Sequence, residues 1–310
     1  MKIATTTGDF REYLEWDDVA GATRLLAQCG FRHIDVNMYH SFCDGSALCS
    51  DNWREWAEGI RRAGIEAGVD FVQAHGTNGS SVPGEEHDRR IEILKRELRI
   101  CRMLGIPRIV VHGVCRPEWS REEFMAANAR FYRELLPTAE ETGVCICTEN
   151  TCRQNYATYY IFEGSDFNEL RDRLDKHPLF GCCWDVGHAN CHPTDQYRSI
   201  MAMGDGLKAV HIHDSNYGVD SHMVPFQGSV SYDSVINGLL DVGFGGYFTL
   251  ESYSLPMPRD FYNYRRTRFE DKGPEYERLM TLPLEFKMRS ERLLLDVARY
   301  MLSTYDCLEE

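Results

Sequence analysis

Eight short apolar segments alternate with helix-like segments along almost the whole chain, and this alternation is the strongest constraint on the fold. The apolar segments are rich in Val, Ile, Phe, Thr and Cys, as buried strands are. They cover residues 2–7, 33–37, 70–75, 108–112, 144–149, 180–185, 208–213 and 247–251. The segments between them carry apolar residues at helical spacing, and several end at a Gly. Strands that alternate with helices pair in parallel, so the pattern predicts an α/β fold.

Eight strand–helix units within about 250 residues match the size of one closed (β/α)8 barrel, the TIM barrel. They fit this fold better than a two-domain doubly wound protein. We therefore predict a single TIM-barrel domain over residues 1–310. Residues 254–282 contain three Pro and no clear period, and we predict an irregular insertion there, after strand 8, followed by a C-terminal helix over 283–305. Loops of this length are usually functional or interface elements, and the alternative is a solvated surface.

A polar residue lies at or near the end of seven of the eight predicted strands, and the interval between the first five of these residues is nearly constant. These residues are Asn37, His75, His112, Glu149, Asp185, His211 and Glu251. Successive members are 38, 37, 37, 36, 26 and 40 residues apart, about the length of one strand–helix unit. In this fold the C-terminal strand ends form one mouth, which carries the active site. The side chains that point inward there are therefore expected to converge.

Three of the strand-closing residues are carboxylates, namely Glu149, Asp185 and Glu251. Three negative charges crowded at one barrel mouth would repel each other and resist burial. A cation among them removes this difficulty. Carboxylate oxygens together with one imidazole suit a divalent ion, so we predict Mn²⁺ or Zn²⁺, with Co²⁺ or Mg²⁺ as alternatives.

Further polar residues flank the same rim. His188 follows Asp185 by three residues, and the run VHIHDSNYGVDSH supplies His213, Asp220 and His222. Alternate residues of a strand share a face, so His213 can point inward together with the histidine two residues before it. These residues widen the candidate site beyond the three carboxylates.

Composition excludes several functional classes. A net charge of −14 argues against nucleic acid as a general partner, because phosphate binding needs a basic face. No apolar run approaches the roughly 20 residues of a membrane span, and the N-terminus lacks a signal pattern, so a cytoplasmic location is expected. No glycine-rich loop follows the first strand, so no nucleotide cofactor is expected. The aromatic and basic residues of 254–282 are compatible with a lid, a phosphate contact or a homo-oligomer contact.

The ordered set of short motifs resembles the xylose isomerase-like TIM-barrel superfamily. This superfamily includes D-tagatose 3-epimerase-type sugar epimerases, hydroxypyruvate isomerases, inosose dehydratases and endonuclease IV. The motifs are AHG at 74–76, VHG at 111–113, TEN at 148–150, DVGH at 185–188, HIHDS at 211–215, DSH at 220–222 and LES at 250–252. Each motif alone is weak, but the set in this order and at these spacings is specific.

The resemblance implies roles for these residues. It implies a metal held by Glu149, Asp185, His211 and Glu251, and it implies that the two glutamates move protons on opposite faces of a substrate. Other residues are expected at the substrate, and they are His75, His112, His188, His213, Asp220 and His222. In endonuclease IV the positions that match five of these, namely His75, His112, His188, Asp220 and His222, join the first four in holding three zinc ions.

The sequence therefore leaves several functions open. The first is a divalent-metal-dependent isomerase or epimerase of a sugar, sugar phosphate or polyol, which works through a metal-stabilised enediolate. A dehydratase could use the same site. A three-zinc phosphodiesterase like endonuclease IV is the main alternative, although the loop 76–86, GTNGSSVPGEE, has no aromatic or apolar wedge to enter a duplex. A non-catalytic scaffold is the third reading, against which the retained carboxylates argue.

Overall fold

Eight parallel strands close into a barrel in the computed structural model, which describes residues 1–152, 159–253 and 282–309. The barrel strands are β1 (Lys2–Thr6), β2 (His33–Asn37), β3 (Asp70–His75), β4 (Arg108–Val110), β5 (Cys145–Glu149), β6 (Phe180–Asp185), β7 (Leu207–Ile212) and β10 (Tyr247–Leu250). Each strand pairs with its neighbours in sequence, and β10 closes the ring between β7 and β1. The predicted (β/α)8 barrel is confirmed.

Helices follow most of the strands and pack against one another around the barrel. They are α1 (Val19–Cys29), α2 (Trp53–Ala67), α3 (Glu85–Leu104), α4 (Arg121–Thr142), α5 (Gly164–Arg173), α6 (Val186–Asn190), α7 (Gln196–Met203), α8 (Tyr232–Asp241) and α9 (Leu284–Thr304). Among the described residues, no helix combines the length and the apolar character that a bilayer crossing requires.

Local signals explain where the helices begin and end. Ser120 accepts a hydrogen bond from the backbone N–H of Glu123, whose side chain bonds back to Ser120, so a capping box starts α4. The same helix ends at Gly143, whose φ of 71° lies in the left-handed region that favours glycine. The predicted helix ends at Gly are thus formed as the sequence indicates.

The barrel interior contains a layer one step below the mouth, made of residues two positions before the strand-closing ones. Four members, from β4 to β7, are small and apolar: Val110, Cys147, Cys183 and Ala209 form one buried cluster. Three members on the other side are polar and buried, namely Asp35, Gln73 and Thr249. One side of this layer is therefore apolar, and the other side is polar.

A hairpin of β8 (Asp214–Asn216) and β9 (Val219–Met223) follows β7 and is not among the predicted elements. The predicted C-terminal helix is present as α9, which packs on α1 and β1. Its buried Lys287 places Nζ 2.6 Å from Asp9 Oδ1 and 2.8 Å from Glu291 Oε1, which ties α9 to the turn after β1. The predicted insertion 254–282 lies outside the described residues, except for Leu282.

Candidate metal centre at the barrel mouth

A cavity of about 280 Å³ opens at the C-terminal ends of the strands. Six of the predicted site residues line it: His75, His112, His188, Asp220, His222 and Glu251. The remaining four, Glu149, Asp185, His211 and His213, are buried. The structure therefore brings all ten predicted site residues to one end of the barrel, six on the cavity wall and four in the barrel interior.

The centre of the arrangement is His211. Its Nδ1 lies 2.6 Å from Glu149 Oε1 and 3.0 Å from Glu251 Oε2. With Asp185 included, these four residues offer ligand atoms that all lie within 4.8 Å of one another. They come from β5, β6, β7 and the end of β10, so the closed barrel is what gathers them.

The protonation of this centre shows why it suits a cation. Burial raises the pKa of Glu149 and of Glu251, but the facing His211 outweighs it, and both pKa values end well below their usual range. Burial lowers the pKa of His211, yet the surrounding Cys183, Glu251 and Glu149 raise it well above its usual value. Imidazole protons thus balance the buried carboxylates. A divalent ion can replace those protons, so the residues present fit a metal.

Two more groups of ligand atoms lie at the mouth, and the first of them shares Glu149 and His211 with this centre. His75 Nε2 and His112 Nε2 lie 3.6 and 3.0 Å from the second oxygen of Glu149, and His75, Glu149 and His211 form one compact group. The other group is His188, His213, Asp220 and His222. In this group Asp220 lies 3.5 Å from His188 Nε2 and 3.3 Å from His222 Nε2.

Neighbouring backbone groups fix the orientation of most of these histidines. Nδ1 of His75, His188 and His222 lies 2.8 to 3.1 Å from the carbonyl oxygens of Gly76, Asn150 and Glu251, respectively. A carbonyl can only accept, so Nδ1 carries a proton in each case, and Nε2 keeps its lone pair whenever the imidazole is neutral. These three imidazoles therefore offer Nε2 to the other groups of the mouth.

Asn150 links the ends of β5 and β6. Its side-chain oxygen accepts a hydrogen bond from the backbone N–H of Asp185 at 2.8 Å, and its side-chain nitrogen donates to the carbonyl of Asp185 at the same distance. Asp185 in turn caps α6, because its Oδ1 accepts from the backbone N–H of His188 at 2.6 Å. The TEN and DVGH motifs are thus one connected unit that contains three site residues, Glu149, Asp185 and His188.

His213 differs from the other predicted substrate-binding residues in its position. It is fully buried, and its Nε2 lies 3.0 and 3.1 Å from the two oxygens of Asp185. Its ring packs against the backbone of Gly187, where a Cβ would come within 1.9 Å of His213 Cε1. The structure therefore places His213 behind Asp185, where it orients this carboxylate.

Sequence reasoning missed several residues of the mouth. Arg11, His40, Tyr159 and Tyr253 line the cavity. Arg11 Nη1 lies 2.7 Å from His40 Nε2, and burial followed by the charge of Arg11 lowers the pKa of His40 to about 3, so the imidazole is the acceptor. These residues sit in loops or follow a strand end by several positions, so the strand-closing pattern does not single them out.

The comparison with protein families agrees with this geometry, since residues 23–266 match the family model described as "Xylose isomerase-like TIM barrel". The chain belongs to this family. The resemblance carried by the short motifs is thereby confirmed. Relatives of the chain carry different printed activities, so membership shows the barrel and does not by itself fix the activity.

Three relatives of the chain differ in their described activity. The chain is 23% identical to the uncharacterized protein y4fM of Sinorhizobium fredii, covering 84% of this chain and 88% of that protein. It is 24% identical to fructoselysine 3-epimerase of Shigella flexneri, covering 81% and 98%. It is 28% identical to a probable endonuclease 4 of Citrifermentans bemidjiense, covering 50% of this chain and only 61% of that protein.

Solved structures show the same fold. A D-allulose 3-epimerase from Methylomonas sp., in complex with D-allulose, superposes with a TM-score of 0.72 at 18% identity, covering 97% of each chain. The IolI protein, in a structure with a bound zinc atom, gives a TM-score of 0.71 at 17% identity, covering 98% of this chain and 99% of that one. At these identities the likeness concerns the fold.

Proposed function

We propose that this protein is a divalent-metal-dependent isomerase or epimerase of a sugar, sugar phosphate or polyol. One observation carries the proposal: Glu149, Asp185, His211 and Glu251, from four separate segments, offer ligand atoms within 4.8 Å of one another at the floor of a cavity. The prediction of an isomerase-type enzyme is supported by the epimerases among the relatives and the structural neighbours.

These four residues would hold the ion. Bound there, a divalent ion supplies Lewis-acid stabilisation of the negative charge that develops on the substrate oxygens when a proton leaves the adjacent carbon. Mn²⁺ and Zn²⁺ suit a site of three carboxylates and one imidazole, and Co²⁺ or Mg²⁺ are alternatives. The zinc atom in the IolI structure supports this class of ion.

Two glutamates would move the protons. Glu251 lines the cavity, and the neighbouring histidines keep its pKa low, so it is ionised and able to accept a C–H proton. The pKa of Glu149, which faces the same His211 Nδ1 from another strand, is also low. Glu149 would therefore return a proton as the partner acid only after it has taken one up from the neighbouring imidazoles. Return to the opposite face of the same carbon gives an epimer, and return to the neighbouring carbon gives an aldose–ketose isomer.

The size of the cavity favours a small polyhydroxylated substrate. Ligand sites commonly measure roughly 300–1,000 Å³, and this cavity of about 280 Å³ lies just below that range. Its wall carries imidazoles and the carboxylates of Asp220 and Glu251, which are suitable partners for hydroxyl groups. His188, His222 and Asp220 would therefore position substrate oxygens.

The proposal is tested by proton exchange. The Mn²⁺-loaded protein is incubated in deuterated water with a panel of ketoses, ketose phosphates and inosose-type polyols, and deuterium at carbon is measured by NMR. We expect exchange with at least one panel member and its loss in Glu251→Gln. Glu309→Gln, on the exposed C-terminal segment, serves as the control. Exchange at the wild-type rate in Glu251→Gln would remove Glu251 from the reaction.

A second candidate function is a three-zinc phosphodiesterase. The observation that favours it is the pair of additional ligand groups, one around His75 and Glu149 and one around His188, Asp220 and His222. Metal analysis of the protein loaded with Zn²⁺ separates the two. Close to one ion per chain supports sugar chemistry, whereas three ions together with cleavage of DNA at abasic sites support the phosphodiesterase.

A dehydratase would use the same first step. If the hydroxyl next to the carbanion leaves instead of a proton returning, the product is an unsaturated or deoxy sugar. The NMR experiment on the substrate panel distinguishes this outcome, because a dehydratase consumes the substrate without forming a stereoisomer.

A further inference from the structure

The last helix, α9, buries one face and exposes a second apolar face. Its inner face, which includes the buried Leu294 and Ala298, packs on α1 and β1. On its outer face Phe286, Leu293 and Tyr300 are 48%, 61% and 65% exposed. These three residues follow one another at intervals of seven, so they form one stripe along the helix. A row of large apolar side chains on a surface helix indicates a contact with another molecule.

Phe226, in the loop before α8, extends this stripe beside Tyr300. The centroids of the two rings lie 6.4 Å apart, and Phe226 is 60% exposed. The φ of Phe226 is 75°, in the left-handed region that bulky residues rarely adopt. Its backbone N–H donates a hydrogen bond of 2.8 Å to Asp214 Oδ2, which holds this conformation. Two separate segments of the chain therefore contribute to one exposed apolar patch.

The charge of the outer face of α9 differs from the charge of the whole chain. The chain carries a net charge of −14, so most of its surface repels a second copy. The exposed ionic residues of α9 around the stripe are instead three cations and two anions, namely Arg289, Arg292, Arg299, Glu285 and Asp296. Self-association is therefore least opposed by charge at this face.

We propose that the outer face of α9 is the interface of a homodimer, in which α9 of a second copy packs antiparallel across it about a twofold axis at Leu293. In a twofold interface the same patch meets itself, so residues equally far before and after the axis come together. Phe286 and Tyr300 lie seven positions before and seven positions after Leu293. Each Phe286 is then opposite Tyr300 of the second copy, and Leu293 meets its own copy.

The ionic residues beside the stripe determine the direction of the second helix. Arg289 lies four positions before Leu293 and Asp296 lies three positions after it, so an antiparallel pair brings Arg289 of one copy close to Asp296 of the other. A parallel pair would place Arg289 against Arg289. Within one chain both residues form exposed ion pairs, Arg289 with Glu285 and Asp296 with Arg299. Such exposed pairs are weak, so contacts across the interface can replace them.

The inference is independent of the proposed activity, because its test measures mass. Sedimentation equilibrium over a wide range of protein concentration is applied to the wild type, Leu293→Glu and Ile65→Glu. Ile65 on α2 is 65% exposed, so Ile65→Glu adds the same charge at an equally exposed helix position. We expect the wild type and Ile65→Glu to show twice the chain mass of 35.8 kDa. Leu293→Glu should weaken the association at least about tenfold, because it places two carboxylates at the centre of the interface.

Charge exchange tests the antiparallel direction. Arg289→Asp and Asp296→Arg each place like charges opposite one another, so each should weaken the association about two- to fivefold. The double variant restores opposite charges with their positions exchanged, and we expect it to associate like the wild type. Single variants without effect, or a double variant that stays weak, would contradict the antiparallel arrangement.

Cross-linking provides a measurement that does not depend on the charged variants. The twofold axis brings residue 293 of the two copies together, so mild oxidation of Leu293→Cys should yield a covalent dimer, whereas Ile65→Cys should not. A wild type with the mass of a single chain at the highest concentration overturns the inference, and another protein or solvent then covers this face. A dimer that Leu293→Glu leaves intact overturns it as well, because the interface then lies elsewhere.

Discussion

Glu97 of α3 accepts hydrogen bonds from the backbone N–H of Thr77 at 3.2 and 3.0 Å to its two carboxylate oxygens. Thr77 lies two residues after His75, so a helix that packs outside the barrel holds the loop that carries a site residue. Asn128 of α4 does the same after β4, where its amide bonds to both the N–H and the C=O of Val114. Side chains of the surrounding helices thus hold two of the loops that form the mouth.

Glu97 should make stability depend on pH. Burial raises its pKa to about 8, and the hydrogen bonds from Thr77 offset only part of this shift. Because the folded-state pKa lies above the unfolded value near 4.5, the stabilisation is complete below pH 4.5 and is lost as pH rises through 8.

The test compares wild type with Glu97→Gln, whose side chain cannot ionise. We expect the free energy of unfolding of the wild type, relative to the variant, to fall by on the order of 4 kcal/mol between pH 4.5 and pH 9. Urea titrations in the presence of a chelator measure the difference. A wild-type-minus-variant difference that stays constant with pH would show that Glu97 does not titrate in this range.

Gly187 should not tolerate a side chain. A Cβ at this position would lie 1.9 Å from His213 Cε1, and His213 is held against Asp185. We expect Gly187→Ala to destabilise the protein by about 1–3 kcal/mol and to weaken metal binding, since the ring that orients Asp185 must move. Unfolding midpoints and chelator competition measure the two effects.

Gly59 offers the matched control for this substitution. It lies inside α2, and a Cβ there meets nothing within 4 Å. We expect Gly59→Ala to stabilise the protein by up to about 1 kcal/mol, because Ala is the better helix former. Equal stability changes in the two variants would contradict the steric argument at Gly187.

Lys287 should be essential for the attachment of α9. It lies between Asp9 and Glu291, and all three side chains are buried. Replacement by Met keeps much of the volume but leaves two buried carboxylates without this cation, so we expect a loss of about 3–5 kcal/mol. Thermal and urea unfolding provide the measurement.

Arg289 on the same helix provides the comparison. Its ion pair with Glu285 is exposed on both sides, so Arg289→Met should change stability by no more than about 1 kcal/mol. If Lys287→Met also changed stability only slightly, Asp9 and Glu291 would tolerate the loss of the cation, for example by taking up protons.

The sequence predicted the barrel well because the interval between its strand-closing polar residues reflects the length of one strand–helix unit. One strand–helix unit needs about 37 residues, so polar residues at that interval had to reach one mouth. It did not predict Asp35 or Gln73, although both stand two positions before a strand-closing residue. Single polar residues inside an apolar run look like ordinary strand positions until the closed barrel shows which of them face each other.

The roles of His213 and Arg11 show a second limit. Alternation along a strand predicts that His211 and His213 point to the same side, but β7 ends at Ile212 and the chain turns there. His213 therefore lies behind Asp185. Arg11, which lines the cavity, follows the short 3₁₀ helix Thr7–Phe10 after β1, and such a turn leaves no periodic signal in the sequence.

Metal binding should stabilise the protein, and removal of any central ligand should abolish this effect. An ion that binds only the folded state raises the free energy of unfolding by about 4 kcal/mol at a free concentration 1,000 times the dissociation constant. We expect Mn²⁺ or Zn²⁺ to raise the melting temperature of the chelator-treated wild type, and EDTA to reverse the shift.

Asp185→Asn should remove most of this shift in melting temperature, because Asp185 is one of the four residues that would hold the ion. Exposed Asp205, paired with Arg171, gives the control Asp205→Asn, which should keep the full shift. A melting temperature that does not respond to either ion in the wild type would mean that imidazole protons alone balance Glu149, Asp185 and Glu251.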